Sequence, residues 1–166
     1  YLEGEFDALG ADFANRNDVS DDALVAMKAA WSGESVEMSR SGFHAAGNTM
    51  LPAPIQKPHP PIWIGGNSPR AIRRSVDFAQ GWSPFPLPAA GAGRTRTAAI
   101  ENVDDLATGI TRMKEYAEKQ GRVEPLDVNF VPFGLHMNTR KVPSEEALHE
   151  QFGQLEEAGV TWVTMG

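Results

Sequence analysis

A chain of 166 residues with 41% hydrophobic and 22% charged residues has the balance of one ordinary globular domain. Its 0 Cys exclude a disulfide scaffold, a thiolate metal site and a cysteine nucleophile, and they fit a reducing, cytoplasmic compartment. A net charge of -7 argues against nucleic acid as partner, and no apolar run approaches the roughly 18 residues that cross a membrane.

Charge is uneven along the chain. Residues 1–40 carry net -6, residues 41–100 net +5 and residues 101–166 net -6. The basic middle third is either a loop-rich stretch without acidic helices or the field of an anion site.

Ser20 is a candidate cap for a helix whose first turn holds Asp21 and Asp22, with Leu24, Met27 and Trp31 at helical spacing and Gly33 at its end. Val36 to Phe43 predicts a short hairpin with Ser41-Gly42 at the turn. Pro52, Pro54, Pro58, Pro60 and Pro61 make residues 52–61 an extended connection. Ile62-Trp63-Ile64 is a short strand, and Ile72, Val76 and Ala79 form the stripe of a following helix that stops at Gly81. Trp82 to Phe85 is a second short strand, and residues 86–99 read as a long polar loop carrying Arg94 and Arg96. Asn102 caps a helix with Val103, Leu106, Ile110, Met113 and Ala117 on one face, ended by Gly121. Leu126 to Met137 is strand-like, Ser144 starts a helix that Gly159 ends, and Val160 to Met165 is a last strand. From residue 62 onward strands alternate with helices, which predicts a parallel sheet with crossover helices. Four such strands make an open sheet or half of an eight-stranded barrel.

The segment richest in chemistry is Gly65-Gly66-Asn67-Ser68-Pro69, where a parallel strand hands over to a helix. Glycine lets a ligand approach the backbone, Ser68 can cap, and Pro69 suits the first helical position. The helix start would offer free N–H groups to a phosphate, with Arg70, Arg73 and Arg74 adding positive field. A tight capped turn with no ligand explains the same residues equally well.

The four histidines, His44, His59, His136 and His149, lack metal-ligand spacing. His136 draws attention because it falls near a strand end. Trp82 is either a pocket wall inside a barrel or a core residue. Glu145-Glu146 and Glu156-Glu157 read as solvated helix faces, and no G-x-S-x-G elbow supports a hydrolase. No lysine falls on a strand as a Schiff-base candidate, since Lys57 and Lys141 lie in connections, so an aldolase-type barrel is disfavoured.

Glu5-Phe6-Asp7-Ala8-Leu9-Gly10, Met27-Lys28-Ala29-Ala30-Trp31, Pro54-Ile55-Gln56-Lys57-Pro58 and Pro61 through Ala71, followed by Gly81-Trp82, together resemble the luciferase-like monooxygenase family, in particular its branch using the deazaflavin coenzyme F-420. The resemblance implies an α/β fold, a (β/α)8 TIM-type barrel, of which residues 1–166 form one partial domain, the second half. It starts just past the fourth strand and stops at the eighth. It implies a flavin- or deazaflavin-dependent oxidoreductase, using F-420 or FMN for hydride transfer or oxygen activation on a small-molecule substrate. It also implies a homo-oligomer, with catalytic residues lying outside this half. Cofactor contacts carry over to Gly65, Gly66, Asn67 and Ser68, and to Tyr1 and Glu5 in the loop after the fourth strand. Gln80-Gly81-Trp82 departs from the family's Asp-Gly-Trp, which puts any role of that acid in doubt. The rival expectation is a non-catalytic half-barrel that binds a phosphate-bearing ligand or a partner. Four strands alone cannot close a barrel, so the isolated chain is expected to pair with a second half or stay loosely packed, without turnover.

Overall fold

The computed structural model describes residues 2–135 and 143–165, so His136 and Lys141 lie outside the described residues. The chain divides into two compact units, Tyr1–Pro61 and Ile62–Gly166.

In the first unit, α1 spans Glu3–Ala8 and α2 spans Arg16–Trp31. The second helix starts a full turn before Ser20, which is a correction to the capping expected there. Nothing between Gly10 and Ser20 breaks a helix, so it runs back to Asn15, whose side chain makes no cap bond. The hairpin is present and longer than expected: β1 spans Val36–Arg40 and β2 spans Phe43–Asn48, antiparallel, with Gly42 at φ +78° in the turn. Arg40 Nη1 reaches Asp22 at 2.9 Å and Ser41 N–H donates to the same carboxylate at 3.1 Å, fastening the hairpin tip to α2. The Arg40 hydrogen bond holds the Asp22 carboxyl below its ordinary range.

In the second unit, β3 (Trp63–Gly65), α3 (Pro69–Phe78), β4 (Gly81–Ser83), α4 (Ala89–Thr95), α5 (Val103–Lys119), β5 (Asp127–Phe130), α6 (Glu145–Ala158) and β6 (Trp162–Val163) follow in order. The sheet order is β3-β4-β5-β6 and all its pairings are parallel. The alternation therefore yields the expected α/β fold with crossover helices. Three caps fall where the sequence put them. Ser68 Oγ accepts from Ala71 N–H at 3.1 Å, Asn102 Oδ1 from Asp105 N–H at 2.9 Å and Ser144 Oγ from Ala147 N–H at 3.3 Å. Glu146, in the first turn of α6, has its carboxyl held below the usual value by its own backbone N–H and then by Ser144.

Several boundaries differ from expectation: β3 runs one residue later than Ile62–Ile64, and β4 covers Gly81–Ser83 where Trp82 to Phe85 was expected. The 86–99 loop contains α4, because Pro88 stands at its N-cap and alanines at 89, 90 and 92 outweigh Gly91 and Gly93. A bridge between Leu87 and Ile100 ties the ends of that excursion. The strand expected over 126–137 stops at Phe130, two residues before Pro132, which has no N–H for a ladder. The last strand shortens to Trp162–Val163.

The core lies between the sheet and the helices. Ile72 and Val76 of α3, Leu106, Ile110 and Met113 of α5, Leu155 of α6, and Trp82, Val128 and Phe130 of the sheet form one buried cluster. Trp82 thus faces the helices, which overturns its reading as a pocket wall. Its ring fills the space above Gly109 of α5, where an added Cβ would stand 2.8 Å from Cη2. Gly109→Ala should gain about 0.5–1 kcal/mol of helix propensity and lose about 1–3 kcal/mol to overpacking. Urea unfolding should therefore show a net loss of stability; an unchanged midpoint would contradict this packing.

Candidate functional site

The C-terminal ends of β3, β4 and β5 lie side by side, with Gly65 paired to Ser83 and Trp82 to Val128. In parallel α/β sheets this is the edge where ligands bind. The turn Gly65–Ser68 leaves β3 here and opens α3.

Its four residues play different parts. Gly66 has φ +111°, a conformation glycine alone takes without strain. Its carbonyl accepts the indole N–H of buried Trp82 at 2.8 Å. Asn67 is buried, and its side chain is committed inward. Nδ2 donates to Phe85 O at 2.9 Å and to Ala98 O at 3.0 Å, while Oδ1 accepts from Phe85 N–H at 3.0 Å. The Asn67 N–H goes to Thr97 Oγ1 at 3.1 Å. One residue thereby clamps three segments: the turn, the exit of β4 and the return from α4. Ser68 caps α3, so its hydroxyl oxygen serves the helix start.

Gly65 is the exception. Its φ is not in the left-handed region, and an added Cβ would meet only Ser83 O, at an ordinary 3.8 Å. Neither backbone conformation nor packing inside the unit requires glycine there. That position therefore leaves open backbone at the C-terminal edge of the sheet.

The other sequence candidates are placed as follows. Glu5 stands exposed on α1 in the first unit, Tyr1 and His136 lie outside the described residues, and His44 lines an apolar cavity of about 330 Å³ in the first unit, with Ala26, Ala30, Met38 and Phe43. Gln80, the departure from the family's acid, plays a structural part. Its Oε1 accepts from Ile62 N–H at 3.0 Å, joining the start of β3 to β4. Arg94 closes α4, and Arg96 sits at its C-cap in the left-handed conformation, φ 52°.

Sequence reasoning missed Ser83, Asn129 and Thr164. Asn129 Nδ2 donates to Ser83 Oγ at 2.9 Å, and Thr164 Oγ1 donates to Asn129 Oδ1 at 2.9 Å. A signal was available: Asn129 is the single polar residue between Val128 and Phe130, and strand alternation puts it on the face opposite the core.

Comparison with known proteins places these features in context. A dimethylsulfone monooxygenase dependent on FMNH2, from Pseudomonas putida, is 28% identical over 85 residues, covering 49% of this chain and 23% of that protein. The structure of a coenzyme F-420-dependent tetrahydromethanopterin reductase from Methanopyrus kandleri superposes with a TM-score of 0.68 at 13% identity, over 98% of this chain and 65% of that one. An F-420-dependent secondary alcohol dehydrogenase, in complex with an F-420–acetone adduct, gives a TM-score of 0.65 at 13% identity, over 93% and 57%. The chain thus spans less than two thirds of each of these relatives. At such identities the structural likeness concerns the fold. Residues 3–152 match the model of the luciferase-like monooxygenase family, and the chain belongs to that family.

Proposed function

We propose that the chain is the second half of a luciferase-like (β/α)8 barrel, and that the barrel is a flavin- or deazaflavin-dependent oxidoreductase acting on a small organic substrate. The observation that carries this reading is Gly65, a glycine the fold does not need, at the C-terminal edge of a parallel sheet in a chain of this family. The F-420-dependent structural relatives favour a deazaflavin, and the FMNH2-dependent relative keeps FMN as the alternative. The coenzyme, when bound, would supply the redox chemistry: hydride transfer at a ring carbon or reaction of a reduced ring with oxygen.

The chain's own residues bind and orient. Gly65 and Gly66 let the ligand reach the backbone. The start of α3, which Pro69 opens and Ser68 caps, presents the positive end of a helix dipole to a phosphate. Arg73, on the same helix, adds to the local positive charge. Asn67 contributes by holding the turn in shape. Tyr1 and Glu5 remain candidate contacts to the cofactor tail by family resemblance. The edges of β3 and β6 are where the first half of the barrel would pair, a homo-oligomer rests on the family resemblance alone, and 0 Cys suits a reducing compartment such as the cytoplasm. No helix among the described residues is long and apolar enough to cross a membrane.

Coenzyme titration of the full-length protein, followed by fluorescence, tests the reading. F-420 should bind more tightly than FMN; the reverse order would move the protein to the flavin branch. Gly65→Leu should weaken coenzyme binding about tenfold or more while leaving the melting temperature nearly unchanged. Gly66→Ala differs, because its φ forces strain on any side chain, so stability should fall along with binding. Full affinity in Gly65→Leu would remove the turn from the site.

A further inference from the structure

Alternation sorts the strand residues onto two faces. Trp82, Val128 and Phe130 face the helices. Trp63, Gly65, Gly81, Ser83 and Asn129 therefore share the opposite face, and Trp162 joins them through its pairing with Asn129. Two tryptophan rings meet over that face. Trp63 and Trp162 belong to the two outer strands, which a flat sheet would hold about 14 Å apart at about 4.8 Å per strand. Their ring centroids are 5.8 Å apart. Trp63 reaches inward by lying across Gly81, where an added Cβ would come within 2.6 Å of its ring.

Beside these rings runs the chain of side-chain bonds from Thr164 to Asn129 to Ser83. In the structure it runs from Thr164 toward Ser83. Thr164 spends its only hydroxyl proton on Asn129 Oδ1, and Asn129 Nδ2 donates to Ser83 Oγ. Ser83, half-buried, receives a bond on its oxygen and keeps its own proton to give. Each bond in such a chain polarises the next, so the terminal hydroxyl is a better donor than an isolated serine. Among the described strand residues, this face holds one charged group, Asp127, which accepts from Thr161 Oγ1 at 3.4 Å. Those strand residues include no cation, so the face is built for a neutral acceptor and not for a phosphate.

We propose that the Ser83 hydroxyl, held by Asn129 and Thr164, donates a hydrogen bond to a carbonyl oxygen of a flat conjugated ligand lying against the Trp63 and Trp162 rings on this inner face. Aromatic walls favour a flat ring, and a terminal donor selects a carbonyl on its rim. Such a carbonyl occurs on a coenzyme ring and on a conjugated substrate alike. Asn129 and Thr164 are positioning residues; Ser83 is the contact. The inference rests on the oxidoreductase reading above.

The test uses the full-length protein with three variants: Ser83→Ala, Ser83→Thr and Asn129→Asp. Coenzyme dissociation constants for F-420 and FMN are read by fluorescence, substrate KM and kcat are read separately, and each melting temperature is recorded. Ser83→Ala should weaken one arm about fivefold to tenfold. A change in coenzyme affinity assigns the carbonyl to the coenzyme, and a change in KM alone assigns it to the substrate. Ser83→Thr, which keeps the hydroxyl, should restore that arm. Asn129→Asp turns the middle donor into an acceptor, so the Ser83 proton is drawn inward and the ligand arm weakens as in Ser83→Ala. Ser83→Ala with both arms unchanged within twofold overturns the proposal, whatever its melting temperature. So does a loss in Ser83→Ala that Ser83→Thr fails to restore. A wild-type protein that binds neither coenzyme overturns both this inference and the oxidoreductase reading. Wild-type binding with an indifferent Ser83→Ala overturns this one alone.

Discussion

Asn67→Asp should be among the most damaging isosteric changes in the second unit, and its damage should grow with pH. The amide nitrogen now stands 2.9 and 3.0 Å from two carbonyl oxygens, Phe85 O and Ala98 O. A carboxylate oxygen in that place faces two acceptors with no proton to give. Asn67→Ala leaves the same two carbonyls and the Phe85 N–H without partners, at about 1–3 kcal/mol for each buried group left unsatisfied. Either change should cost about 3 kcal/mol or more, a large share of the roughly 5–15 kcal/mol that stabilises a domain. The aspartate carries a further signature. Burial and the two carbonyls disfavour its anion, so its folded pKa lies above the unfolded value of about 3.9. Between those two values the folded state binds more protons than the unfolded state. Stability then falls as pH rises from about 4, and levels off above the folded pKa. Urea unfolding of Asn67→Asp and Asn67→Ala at pH 4 and pH 7 checks this: the gap between wild type and the aspartate variant should widen at pH 7, and the gap to the alanine variant should not. Parallel behaviour of the two would mean that Asn67 does not clamp the turn.

The clamp also shows where sequence reading reaches and where it stops. The order of α3, α5 and α6 and their strands was legible because these helices have side-chain caps (Ser68, Asn102 and Ser144), and because the apolar stripes of α3 and α5 repeat at helical spacing. The 86–99 excursion was not legible, since Gly91 and Gly93 argue for a loop while its anchor is remote. Leu87 bridges Ile100, and Thr97 and Ala98 are held by Asn67 thirty residues earlier. The short β5 and β6 were overextended for a related reason. Apolar residues recur past Phe130 and Val163, and the end of each ladder is set by pairing with a neighbouring strand and, for β5, by Pro132.

The glycine turn itself was conspicuous, but its division of labour was invisible in a string. Gly66 is required by its φ, Asn67 by three long-range bonds, Ser68 by a cap, and Gly65 by nothing within the fold. Alternation alone leaves open which of Ile62 or Trp63, and which of Val128 or Asn129, turns away from the helices. Register settles both: Val128 lies in the core under the helices, and Trp63 and Asn129 turn to the opposite face. Once that face is known, Ser83 and Thr164 follow from alternation and a hydrogen bond. Neither residue belongs to a motif.

Trp82→Phe should loosen the glycine turn from the core side, and it should reverse the sign of Gly109→Ala. Trp82 is fully buried, touches Gly109 and gives its indole N–H to Gly66 O at 2.8 Å. Truncation to alanine should cost about 3–5 kcal/mol, the usual range for a buried aromatic. Phenylalanine keeps most of the apolar volume but leaves the Gly66 carbonyl unpaired, so about 1–3 kcal/mol should be lost. That loss has an address: amide hydrogen exchange at residues 66–68 should speed up in Trp82→Phe more than exchange along α5. The second ring of the indole carries Cη2, the atom 2.8 Å from where a Cβ on Gly109 would stand. Phenylalanine lacks that ring, so the space is vacated. In the Trp82→Phe background, Gly109→Ala should therefore show only its helix-propensity gain of about 0.5–1 kcal/mol. In the wild-type background the same change should destabilise. Two residues in direct contact must couple in this way if the contact is real. A double-mutant cycle by urea unfolding reads the coupling directly. Additive effects, with Gly109→Ala equally harmful in both backgrounds, would place the tryptophan ring elsewhere and detach the turn from the core that steadies it.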